Sequence, residues 1–254
     1  MHSINVALVV VACSFGGALL GMFLGPRLPS THVSRETQKV VKLGMGMIAT
    51  LSGLVLGLLV STAKSAFDTT DAEVKEISAK LVLLDHVLAR YGPETKPARA
   101  ELRHYVALKI DQIWSREARR EGPPAQTSAG TWLETALGRV IDLPAETDVH
   151  RELKSRAMAL AGEISQARWL LIEQSVGSVI PTAFLVIVVF WLTILFVSFG
   201  LFAPRNAITL AAMLVCALSV ATALYLVLEL SRPLGGTIQI SSAAARNALA
   251  QMGR

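Results

Sequence analysis

Residues Leu43–Tyr91 read LGMGMIATLSGLVLGLLVSTAKSAFDTTDAEVKEISAKLVLLDHVLARY, and this stretch decides the fold because one helical pattern changes solvent within it. Leu43 to Val60 holds no charged residue and is long enough to cross about 30 Å of hydrocarbon. Beyond it, Val74, Ile77, Leu81, Leu84, Leu88 and Tyr91 recur at steps of three and four, while Asp71, Lys75, Glu76 and Lys80 take the other faces. That is the pattern of an amphipathic helix in water. No Gly or Pro lies between Gly57 and Gly92, so nothing forces a break where the helix leaves the bilayer.

The rest of the chain fits a membrane protein with a water-facing part. Its 254 residues are 52% hydrophobic and 17% charged, with net charge +5, too apolar for an ordinary soluble domain and too charged in the middle to lie wholly in lipid. Ala63 to Ser175 holds 16 basic and 17 acidic residues, so the positive excess flanks the apolar runs. That distribution is a membrane signature and argues against nucleic-acid binding. Cys13 and Cys216 both fall in apolar runs and define no disulfide framework.

The expected class is an all-α membrane protein with four transmembrane helices per subunit and a helical bundle inserted between the second and third spans. Residues 1–62 form a first hairpin, with spans at about 4–24 and 43–62. Residues 63–175 form the bundle, 176–230 a second hairpin with spans at about 176–202 and 207–230, and 231–254 a tail. In the first span Gly17, Gly21 and Gly25 make a bare stripe where another helix can approach. Ala212, Cys216, Ser219 and Ala223 make a small stripe in the fourth.

In the second span Gly46, Thr50, Gly53, Gly57 and Ser61 form a strip that is small and weakly polar. Two readings stand: close helix packing, or the wall of a water-filled pore. Glu229 is the only acidic residue in or at the edge of a span; it either reaches the headgroups or holds a charge at a pore mouth. Arg116, Arg119 and Arg120 are the densest basic cluster, a solvated helix end or an anion funnel.

Within the bundle the periodicity predicts a helix over about Ala98–Arg120 with Leu102, Val106, Ile110 and Ile113 inward. A short helix follows behind a Thr131–Glu134 capping box, bearing Trp132, Leu133, Leu137 and Ile141. A last one carries Val149, Leu153, Ala157, Leu160, Ile164, Ala167 and Leu171. After the fourth span, Ser231, Arg232, Pro233, Leu234, Gly235 and Gly236 predict a reversal that lays Ile238 and Ile240 on the bundle, with the glycines supplying backbone conformations closed to other residues; the alternative is a tail disordered from Ser231.

The run Glu229-Leu230-Ser231-Arg232-Pro233-Leu234-Gly235-Gly236 resembles the closing motif of the bacterial bestrophin-like domain family, and Tyr105, Trp114, Arg168 and Pro181 look like further matches. The family usually has Asp where Ser231 stands and Phe where Leu234 stands. The resemblance implies kinship with bestrophins, which are pentameric anion channels. It therefore implies a homo-oligomer in the bacterial inner membrane, with inorganic anions as the transported species and the bundle and both termini in the cytoplasm. Basic residues near the span ends nearly balance, so orientation rests on the resemblance.

The expected function is an ion channel, anion-conducting, lined by the second span. The alternative is a non-conducting scaffold or sensor whose bundle binds a partner. A proton-driven stator lacks its essential acid at mid-depth. His2, His32, His86, His104 and His150 are scattered, and no metal-ligand spacing, phosphate loop or nucleophile elbow occurs, so neither an enzyme, a metal nor a cofactor is expected.

Overall fold

The structure is a computed structural model that describes residues 3–27, 35–115, 129–176 and 180–253. It is helical, with no strand among the described residues: α1 Ser3–Leu24, α2 Arg35–Tyr91, α3 Lys96–Trp114, α4 Ala129–Ile141, α5 Asp148–Val176, α6 Thr182–Phe202, α7 Ala207–Leu230 and α8 Ala243–Gln251. Four helices, within Ser3–Arg27, Glu36–Tyr91, Thr182–Phe202 and Ala207–Leu230, are long and apolar enough to cross a membrane. The chain divides into two compact units, Met1–Ala66 with Ser178–Ser231, and Phe67–Gly177 with Arg232–Arg254. The 57-residue α2 runs through the division without a break.

In the first unit α1 packs on α6 and α7. The glycine stripe of α1 has a definite partner, the backbone of α6. A Cβ on Gly17 would stand 3.1 Å from the Thr193 carbonyl oxygen, and one on Gly25 would stand 2.8 Å from that of Leu201. One on Gly21 would collide with the Val197 carbonyl, and α6 answers with Gly200, where a Cβ would run into the carbonyl of Ala18. Two backbones thus approach as only glycine permits, replacing a hydrophobic drive that lipid cannot supply. On α7 the buried small residues are Ala217 and Ala221, not the stripe of Ala212, Cys216 and Ser219, which is exposed.

The helix ends are satisfied locally. Asn206 caps α7, its Oδ1 accepting from the Thr209 N–H at 2.7 Å. Arg205 donates from Nε to the Met22 carbonyl at 3.1 Å, filling an otherwise open acceptor in the last turn of α1. Pro181 stands just ahead of α6, so the third apolar helix begins at Thr182, six residues later than the composition suggests. A proline immediately before the first turn costs the helix no hydrogen bond.

The second unit is built on the amphipathic second half of α2. Leu81, Leu84, Leu88 and Tyr91 meet Leu102, Tyr105 and Val106 of α3, Leu133, Ala136 and Val140 of α4, and Ala157, Leu160 and Ile164 of α5 in one core. The apolar steps read from the sequence account for most of it. Ile141 and Val149 depart from them, both being exposed, Ile141 although Val140 before it and Leu143 after it belong to the core. The α2–α3 turn needs Gly92, whose φ is +148°. Thr95, fully buried, shares its hydroxyl proton between the Leu88 and Gly92 carbonyls at 2.6 and 2.8 Å and so closes the end of α2. Helix α4 begins at Ala129, which puts Thr131 inside it rather than at its cap; helix α3 ends at Trp114.

Candidate functional site

Gly46, Thr50, Gly53, Gly57 and Ser61 all lie on the exposed surface of α2 in the first unit. A Cβ on Gly46, Gly53 or Gly57 would meet nothing within 4 Å. Thr50 turns its hydroxyl back to the Gly46 carbonyl at 2.9 Å. Among the described residues no backbone closes on the glycines of this strip as α6 closes on the α1 stripe. Of the four apolar helices, α2 has the least burial in its apolar window, 11% against 22% or more for the others. Leu43, Met47, Leu54 and Leu58 are exposed with it.

Beside the strip, α2, α6 and α7 enclose two adjoining hollows of about 330 and about 710 Å³ that share Ala49 and Phe199 as walls. Gly46 lines the first and Gly53 the second, while Thr50, Gly57 and Ser61 line neither. Ser52, 3% exposed, brings to the larger one a hydroxyl without a hydrogen-bond partner.

Glu229 is 5% exposed, so its carboxylate is held inside the chain rather than at its edge. Arg116, Arg119 and Arg120 lie outside the described residues.

The tail motif is ordered by hydrogen bonds. The Gly235 and Gly236 N–H groups both donate to the Arg232 carbonyl, at 3.2 and 3.0 Å, and the Ile240 N–H returns to the Pro233 carbonyl at 3.1 Å. The reversal uses neither glycine's special freedom: among the described residues only Gly92 and Gly253 have positive φ. Of the two isoleucines, Ile240 is buried at 2% exposed and Ile238 is not. Trp114 fastens the turn by donating from Nε1 to the Ile240 carbonyl at 2.8 Å. Helix α8 then packs on α3 and delivers Met252 into the bundle core.

At the end of that path lies a polar centre that sequence reasoning missed. Asp85, 1% exposed, accepts from Arg99 Nε and Nη2 at 2.8 Å each, and from the Gly253 N–H at 3.0 Å. Burial pushes its carboxyl up, but the Arg99 hydrogen bonds, the Gly253 N–H and the Arg99 charge together outweigh that and hold it below the usual carboxylate range. The signal was present, since Asp85 stands among Leu81, Leu84 and Leu88 on the apolar stripe of α2. Further along α3, burial and then the Arg168 charge push Lys109 below the usual lysine range, and burial raises Tyr105. His150 stacks on Tyr91 with ring centroids 4.6 Å apart, a packing role. Among the described residues no three His, Cys, Asp or Glu side chains converge as metal ligands.

The Bestrophin-like domain family matches over residues 12–245. Crystal structures of three mutant forms of a bacterial bestrophin homolog from Klebsiella pneumoniae are similar in fold. Their TM-scores are 0.62, 0.61 and 0.59 at 14%, 14% and 15% identity, with 100%, 99% and 99% of this chain and 99% of that chain covered. No curated protein matches.

Proposed function

The chain belongs to the bestrophin-like domain family, and from that premise we propose that it is the subunit of a homo-oligomeric, anion-conducting channel whose axis is lined by the second span. One observation carries the reading: the strip Gly46, Thr50, Gly53, Gly57 and Ser61 is exposed and its glycines meet nothing within Cβ reach among the described residues, while the α1 glycine stripe is fully used. A face of small and hydroxyl-bearing residues, open over four turns, suits the water-filled path of an oligomer. In this reading residues 63–175 are a bundle inserted between the second and third spans, the membrane is the bacterial inner membrane, and the bundle and both termini are cytoplasmic. Five subunits is the number that kinship with bestrophins favours.

Purified oligomer in planar bilayers tests it. Chloride-dependent current that shifts its reversal potential with the chloride gradient is expected. Silence at both polarities and in several salts, from protein shown to be oligomeric, overturns it.

A second reading, a non-conducting scaffold, draws on the apolar side chains Ile141, Val149 and Met158 that the bundle leaves exposed. Recovery of one stoichiometric partner protein together with electrical silence would select it.

A further inference from the structure

The two hollows between α2, α6 and α7 form one groove with a polar end and an apolar end. At one end stand Lys42 and Phe202, with Thr209 on the same side. At the other stand Leu56, Leu192 and Val220. From Lys42 to Leu56 the groove follows α2 for roughly 20 Å, and from Thr209 to Val220 it follows α7 for roughly 16 Å, at 1.5 Å per residue. That is slightly more than half of the ~30 Å hydrocarbon thickness, the depth of one leaflet. Its deep walls are mostly aliphatic and aromatic, with Ser52 and Cys216 as the polar exceptions, and its charged wall is Lys42 alone.

We propose that this groove is a binding site for an anionic phospholipid, with its headgroup at Lys42 and an acyl chain lying between Ala49, Phe199 and Leu192. Three observations select that occupant. The groove's single charge is positive and stands at the end where Lys39 and Arg205 also lie, against Glu36 as the one acid of the first turn of α2, so a phosphate there meets a net basic rim. The apolar depth is closed to water-loving solutes. Of the helices that a second copy could lay over Lys42, α1, α6 and the first turns of α7 carry no acidic residue, Glu229 stands at the opposite end of α7, and α2 carries one carboxylate at this end, Glu36. The site is compatible with a pore. At 100° per residue, the α2 residues that line the groove centre roughly 80° around the helix from the strip of Gly46, Thr50, Gly53, Gly57 and Ser61, with Gly46 and Gly53 on the border between the two. It does not depend on conduction.

The test uses the full chain, delipidated in detergent and offered phosphatidylglycerol or phosphatidylcholine, with bound lipid counted by native mass spectrometry and melting followed in parallel. Phosphatidylglycerol should be retained and raise the melting temperature, and phosphatidylcholine should do neither. Lys42→Glu should abolish the preference, which for one interfacial lysine is roughly fivefold; Lys42 is exposed, so the variant should fold. Ala49→Trp should block the shared waist and remove retention with oligomer size unchanged. Ser52→Ala should leave retention intact, since an acyl chain makes no use of the hydroxyl. Equal retention of both lipids overturns the proposal. So does Lys42→Glu behaving as wild type, loss of binding in Ser52→Ala, or full disulfide cross-linking between copies through Ala49→Cys in a chain with Cys13 and Cys216 replaced by Ala.

Discussion

Asp85 on α2 and Arg99 on α3 face each other across the Gly92 turn through two parallel hydrogen bonds of 2.8 Å. Because the carboxylate is buried and the guanidinium nearly so, removing one partner leaves a charge without compensation. Asp85→Asn should therefore cost roughly 3 kcal/mol, read as a lower melting temperature of the purified protein. A double-mutant cycle with Arg99→Met should recover much of the loss. If Asp85→Asn melts like wild type, the pair is not fastening the bundle.

The same pair sets a pH dependence. The Asp85 carboxyl titrates below its usual value in the folded chain. Its contribution is therefore complete above the unfolded value of about 4 and is lost as pH falls through the lower folded value. The stability gap between wild type and Asp85→Asn should be constant from neutral pH down to about 4 and close below it. A gap that instead closes between pH 6 and 8 would assign the effect to another group.

The fold was legible where one residue class repeats at a fixed step. A charge-free run marks a span, and Leu81, Leu84 and Leu88 mark a core face, because burial selects the same chemistry at every turn. Partner choice was not legible. Gly17–Gly21 on α1 and Gly53–Gly57 on α2 look alike as sequence, yet only the first meets another backbone. On α7, Ala217–Ala221 and Ala212–Cys216 are equally small, and only the position of α1 decides between them. Asp85 was passed over because a lone acid on an apolar stripe is explained only by donors from elsewhere in the chain, here Arg99 and Gly253.

The α1–α6 seam makes a sharp contrast available. Gly21→Val should push the helices apart and cost at least about 1–3 kcal/mol, since the obstacle is the Val197 carbonyl rather than a side chain that could turn away. Gly16→Ala, one residue off the seam with open space around it, should be neutral or slightly stabilising. Thermal melts in detergent compare the two, and equal losses would mean that the seam is not the contact that matters.

On α2 the expectation is reversed. A Cβ at Gly57 meets nothing within 4 Å among the described residues, so in Gly57→Leu the unassembled subunit should retain its helicity. Conductance should fall sharply if the strip lines the axis. Unchanged current and unchanged oligomer size would remove Gly57 from the pore.

The tail offers the most direct test of a structural role for residues after Ser231. Trp114 holds the Ile240 carbonyl, Ile240 and Met252 are buried, and Gly253 reaches Asp85, so three separate contacts tie it to the bundle. Trp114→Phe should cost about 1 kcal/mol, the worth of one hydrogen bond. Ile240→Ser should cost about 2–4, because it removes apolar volume and buries a hydroxyl. Gly253→Val should act on two counts: its φ is +87°, and a Cβ would stand 3.0 Å from Arg103 Nη1. A chain ending at Gln251 loses Met252 from the core and the Gly253 N–H from Asp85 together, and should melt lower than any of these single variants. Should a chain ending at Leu230 assemble and melt like the full protein, the tail is an ornament on the bundle and the contacts at Trp114, Ile240 and Asp85 stabilise nothing.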